Sequence, residues 1–118
     1  MLRVVHVFNV KPGVDERSFI EWLDSQLDQI TKRFGCIGRK TWVFLDGLEG
    51  SYEKGRPVIR QKYLNEAFWI GEEAANNFRK WLLSEEGRPF RTRWFDSVVN
   101  HTVLRYLDYE LSPVMGED

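Results

Sequence analysis

His6 and His101 are the only 2 histidines of the chain, and a histidine is the side chain whose ordinary pKa falls between pH 5 and 8. Brought together, the two could act as a general base poised near neutrality or supply two metal ligands. Two ligands fall short of the three that a catalytic zinc takes from its protein, so Asp108 or Glu66 would have to complete such a set. Each histidine also has a plainer reading, as a hydrogen-bonded residue of the core. A second group lies on one short stretch of chain. Tyr63, Asn65 and Trp69 are separated by even numbers of residues, and on a strand, where side chains alternate, they share a face. In a third group Arg88, Arg91 and Arg93 interleave with Phe90, Trp94 and Phe95, superficially a surface for stacking nucleic-acid bases. Steps of four from Phe90 to Trp94 to Val98 favour another reading, with the aromatics facing the core and the arginines solvated or paired with Glu85 and Glu86.

Composition narrows the classes further. The 118 residues fit one domain spanning 1–118, and 42% hydrophobic with 14% aromatic content supplies a core. Seventeen basic side chains against 18 acidic ones leave a net charge of -1, so no field draws the molecule to nucleic acid or anionic lipid. Apolar runs such as Trp42-Val43-Phe44-Leu45 are too short to span a bilayer, and the start of the chain lacks a signal-peptide layout. A soluble cytoplasmic protein with no membrane partner is expected. The 1 cysteine, Cys36, has no partner for a disulfide and reads as structural. No motif calls for a metal or a cofactor.

The elements that must position these groups follow from periodicity. Leu2 to Val10 is rich in β-branched residues and stops at Lys11-Pro12-Gly13, which gives strand one. Asp15 caps a helix with Phe19, Leu23, Leu27, Ile30 and Phe34 on one stripe, ended by Gly35. Strand two runs from about Ile37 to Leu45 and strand three from about Val58 to Phe68, joined by a long 46–57 connection of the kind that often carries function. Helix two opens at Glu72, buries Ala75, Phe78 and Leu82, and ends before Gly87 and Pro89. A further helical turn then leads to strand four, about Val98 to Tyr109, and residues 110–118 read as a mobile tail.

Two helices cover one face of a four-stranded antiparallel sheet, so a solitary molecule should alternate apolar and polar along each strand. These strands are apolar on both faces. Leu2, Val4, Phe8 and Val10 oppose Val5 and Val7; Trp42 and Phe44 oppose Val43 and Leu45; strict alternation sets Val98 and Leu104 against Val99, Val103 and Leu107. At about 1.5–3 kcal/mol per buried large side chain, leaving roughly ten in water would exceed the net stability of such a domain. A homodimer through the sheet faces is the expected cover.

The order strand, helix, strand, strand, helix, strand, together with Trp69, Glu72, Glu73, Ala74, Ala75, Phe78, Trp81, Ser84 and Glu85 at the entrance and along helix two, resembles the dimeric α+β-barrel superfamily. Within it the chain is most similar to the antibiotic biosynthesis monooxygenase-like branch. The resemblance implies an α+β, ferredoxin-like βαββαβ fold whose protomers press their sheets together. It also implies candidate roles in a cofactor-independent monooxygenase acting on a small aromatic or phenolic compound. Asn65 would hydrogen-bond and polarise a phenolate, Trp69 would stack on the ring, and a cation at Arg88 or Arg105 would stabilise developing charge. Tyr63, Phe78 and His101 would help line the pocket. Members of the same fold include haem-degrading enzymes, for which Asn9 and Trp69 could fill two places, but helix two carries no histidine to ligate iron. An isomerase or lyase using His6 as base, and a non-catalytic small-molecule-binding or interaction module, remain open beside the monooxygenase reading.

Overall fold

The computed structural model describes residues 1–48 and 60–109. Its elements are β1 (Leu2–Val10), α1 (Glu16–Arg33), β2 (Gly38–Val43), β3 (Tyr63–Trp69), α2 (Glu72–Leu82), α3 (Arg88–Asp96) and β4 (Val98–Leu107). The strands form one antiparallel sheet in the order β2-β3-β1-β4, with the helices packed on one side. This is the ferredoxin-like βαββαβ fold, with α3 added before the last strand. The proposed tail and most of the long connection lie outside the described residues.

Local chemistry accounts for the boundaries. Asp15 caps α1 by accepting a hydrogen bond from the Ser18 amide at 3.0 Å. Gly35, at φ 91°, takes the left-handed turn beyond the helix that a side chain would resist. The α2 and α3 helices meet at a tighter corner. A Cβ on Gly87 would stand 2.3 Å from the Trp81 carbonyl oxygen, and Arg91 Nη1 donates to the free Leu82 carbonyl at 2.5 Å, so the end of α2 is capped by a side chain of α3.

Leu2, Val4, His6 and Phe8 of β1 face the helices, across from Trp69, Ala67, Asn65 and Tyr63 of β3. Phe19, Leu23 and Leu27 of α1, Phe78 of α2 and Phe90 and Trp94 of α3 close over them. Trp69, Trp94, Phe8, Leu2 and Leu23 are fully buried, each contributing on the order of 1.5–3 kcal/mol or more by leaving water. The opposite sheet face carries no helix. There Trp42, Phe44, Leu104 and Tyr106 lie exposed, around a buried carboxylate: Glu66 binds the Arg3 guanidinium and accepts from Trp42 Nε1 at 3.2 Å.

Strict alternation fails at one place in β4. Val99 pairs with Asn9 but Thr102 pairs with Val7, so two residues, Asn100 and His101, stand opposite Phe8 alone. Asn100 sits at φ 54°, the left-handed region that asparagine tolerates better than most side chains, and the result is a β-bulge. Beyond it the alternation changes sense. Val98 therefore shares the helix-facing side with His101, Val103, Arg105 and Leu107, while Val99 and Leu104 lie on the open side, which corrects the grouping expected from unbroken alternation.

Candidate functional site

A cavity of about 290 Å³ opens between the sheet and the helices. Its sheet wall is built from Val4, His6, Asn65, Ala67, Trp69, Val103 and Arg105, and Ala75, Phe78, Leu82 and Trp94 supply its roof. The volume suits an aromatic molecule of one or two fused rings with a small substituent. Most of the lining is apolar, so the few polar groups decide orientation.

His6 is the titratable group at this wall. Its Nδ1 lies 2.9 Å from His101 Nε2, and the ring is packed against Trp94 with centroids 4.7 Å apart. His101 does not line the cavity. It stands behind His6, partly exposed, with Phe95 at 5.3 Å and Phe8 at 6.2 Å between ring centroids. Burial drives the His6 pKa down to about 3, with the charges of His101, Arg39 and Arg79 pushing the same way. Burial also lowers His101. Both rings are therefore neutral at pH 7, and one proton is shared along the hydrogen bond between them. If His6 donates it, the other nitrogen of His6 carries a lone pair; if His101 donates it, that nitrogen carries a proton.

Asn65 is buried beside this pair, directly across from His6 on β3. Its Nδ2 donates to Thr41 Oγ1 at 3.2 Å, and Thr41 donates to Asp24 Oδ1 at 2.8 Å. The amide is thus fixed by β2 and α1. Arg39 belongs to the same network, donating to Asp28 Oδ1 at 2.6 Å and to Asp24 Oδ1 at 3.2 Å. Trp69 stacks on Phe78 with centroids 5.8 Å apart, giving a flat aromatic wall at the far end.

No protein-family model matches the chain, and no curated protein matches it. Solved structures do. The hydroxynitrile lyase of Passiflora edulis superposes with a TM-score of 0.67 at 15% identity, over 95% of this chain and 96% of that one. A DABB family protein with a ferredoxin-like fold from Mesorhizobium loti gives 0.61 at 14% identity, over 92% and 97%. A dimeric ferredoxin-like protein of unknown function from Thermobifida fusca gives 0.56 at 11% identity, over 89% and 88%. The shared feature is the ferredoxin-like fold. At these identities the likeness carries no activity, because one such fold hosts many.

Within that ferredoxin-like frame, His6, Asn65, Trp69, Phe78 and Arg105 come together at the cavity. Tyr63 does not. It lies on the expected face but toward the other end of the sheet, stacked on Phe8 at 5.9 Å with its hydroxyl donating to Glu16 at 2.5 Å, because two further residues along β3 carry it past the cavity. Arg88 is also elsewhere, on the first turn of α3 and 3.5 Å from Glu85. Arg91 caps α2, and Arg93 stacks over Trp22 at 4.1 Å, so the three arginines make intramolecular contacts. Asn9 points away from the cavity, accepting from the Lys62 amide at 2.8 Å. Glu66 is on the opposite face of the sheet from both histidines, and Asp108 pairs with the Met1 amino group at 3.1 Å. Among the described residues, no cluster of three metal-ligating side chains forms. Cys36 Sγ donates to the Gly38 carbonyl at 3.3 Å, a structural contact. No helix among the described residues is long and apolar enough to cross a membrane.

Three wall residues escaped sequence reasoning: Arg39, Arg79 and Trp94. Arg39 left a signal, since it precedes Thr41 and Val43 by even steps and so falls on the helix-facing side of β2. A charged residue at an inward position is unusual enough to single out. Trp94, whose spacing marks it as core, is fully buried and packs on His6 at this wall.

Proposed function

We propose that the cavity carries out acid–base chemistry on a small aromatic molecule, as a lyase or isomerase, with His6 exchanging the proton and His101 positioning it. The observation that carries this reading is the 2.9 Å contact that His101 makes with His6 at the wall of the cavity. A neutral imidazole whose second nitrogen is held by a neighbour has one of two defined tautomers, so it either accepts a proton from substrate or donates a hydrogen bond to its oxygen. His101, partly exposed, offers a path by which that proton can reach solvent. Asn65, held by Thr41, supplies an amide for a developing oxyanion, and the flat face of Trp69 supplies a stacking wall. A fold of this kind houses a lyase in the hydroxynitrile lyase of Passiflora edulis, so the frame is compatible with this class of reaction. In such a cleavage the base takes the hydroxyl proton, the bond to the nitrile carbon breaks, a carbonyl forms and cyanide leaves.

A second reading is oxygenation of a phenol without metal or flavin, favoured by Asn65 and Trp69 lining the same cavity. In either case we take the working unit to be a homodimer that buries the open sheet face, supported by the apolar residues exposed there and by the dimeric state named for the Thermobifida fusca protein.

The test is turnover. Mandelonitrile cleavage and phenylpyruvate enolisation, followed by absorbance, should proceed with the native protein and fall by about 10²-fold or more in His6→Gln. Oxygen uptake with simple phenols and no loss in His6→Gln would favour the second reading. Binding without turnover in any assay would leave a ligand-binding module.

A further inference from the structure

The charged groups of the cavity wall share one sign. Arg39, Arg79 and Arg105 all line it, and no aspartate or glutamate does. Arg39 is balanced by Asp24 and Asp28 on its outer side. Arg105 has only the exposed Glu72 carboxylate, 3.9 Å away, and among the described residues Arg79 makes no ion pair. One guanidinium beside this apolar chamber thus lacks a carboxylate partner among the described residues, and a second is held only by a long, exposed pair. Arg39, only 4% exposed, is taken up by its pairing with Asp24 and Asp28, whereas Arg79 is exposed and Arg105 half-buried, so these two can reach a ligand in the cavity they line.

We infer that the natural ligand of the cavity is a small aromatic anion, a carboxylate or an equally acidic oxygen acid, whose oxygens meet the Arg79 and Arg105 guanidinium groups while its ring lies against Trp69 and Phe78. This deepens the reading of the cavity as a substrate site and rests on it. The chemistry is mutually consistent. Guanidinium groups prefer planar, charged oxygen pairs, and beyond them the walls are mostly apolar, with His6, Asn65 and Thr31 as the other polar groups. Such an anion would also offset the positive charges that add to burial in lowering His6. A neutral ligand would do neither.

The experiment compares 2-naphthoate with 2-naphthamide, which have nearly the same shape and differ in charge, by titration calorimetry at pH 7 and low salt. Naphthoate should bind at least about tenfold more tightly, the size expected for hydrogen bonds to charged groups. The preference should shrink to within about twofold in the double variant Arg79→Gln/Arg105→Gln, with naphthamide affinity unchanged. Both arginines are at least partly solvent-facing, and an unchanged melting temperature would confirm that the variant folds. Equal binding of the two probes to the native protein would overturn the anion inference while leaving the cavity a ligand site. Failure of both probes to bind would overturn the inference together with the reading it rests on. A naphthoate preference that persists in the double variant would also overturn it, by removing these arginines from recognition.

Discussion

His101 reaches His6 because Asn100 is one residue more than the ladder between β4 and β1 can pair. Were Asn100 instead paired with Phe8, unbroken alternation from Val98 would set His101 opposite Val7, on the open face of the sheet, and the 2.9 Å contact between the rings would not exist. The chemistry proposed for the cavity therefore depends on a backbone irregularity that no side chain in the site creates.

Replacing Asn100 tests this directly. Its φ of 54° suits glycine, so Asn100→Gly should leave stability within about 0.5 kcal/mol and preserve activity. Asn100→Ile puts a β-branched side chain in the left-handed region and should cost about 1–3 kcal/mol. Urea denaturation measures both, and equal stability of the two variants would argue against the bulge.

Acid should destabilise the protein through His6. Unfolded, the ring titrates near 6.5, and folded near 3. Below pH 6.5 the unfolded chain therefore binds a proton that the folded one refuses, and stability falls as pH drops from 6.5 toward 3. The slope from this residue is about 1.4 kcal/mol per pH unit, or about 2 kcal/mol lost by pH 5. His101, shifted in the same direction, adds to it. In His6→Gln the difference in unfolding free energy between pH 7 and pH 5 should shrink by that amount.

The α2–α3 corner should be intolerant of any side chain. Gly87→Ala places a methyl 2.3 Å from the Trp81 carbonyl oxygen, a clash with backbone that should cost about 1–3 kcal/mol. Since α3 carries Trp94, which packs on His6, ligand affinity should fall with it. A thermal melt and a naphthoate titration read the two effects separately.

How much of this was legible in the sequence depended on how local the signal was. The span of β1, the Asp15 cap, the α1 stripe and the Gly35 stop were all readable, because each rests on residues adjacent in the chain. Asn65 and Trp69 were placed on one face by parity alone. What parity could not give was position along the strand: Tyr63 shares the face yet sits beyond the cavity, beside Phe8 and Glu16. Arg88 was misplaced because the extra helix α3 turns that segment outward, and a run of three arginines does not say which faces in. The register shift at Asn100 was hidden for a related reason, since Val98 and Val99 are both apolar and cannot report which of them faces the core.

Dimerisation through the open face is the remaining expectation to test. Native protein at micromolar concentration should sediment as a dimer. Trp42→Glu or Leu104→Lys, on exposed positions of that face, should give a monomer, because an unpaired charge in an apolar contact costs several kcal/mol. A native monomer would remove the dimer and leave the cavity, which one chain builds alone.

Glu66 gives that face an address. Its carboxylate is held by Arg3 and by the indole of Trp42, so a charged spot with fixed neighbours sits inside an otherwise oily surface. An incoming surface that slid by one strand, or arrived rotated, would press hydrocarbon onto that spot or pull Arg3 away from it. Oil alone would accept many alignments; in a dimer built on this face, one anchored ion pair in its middle would favour a correctly seated companion over a merely greasy one.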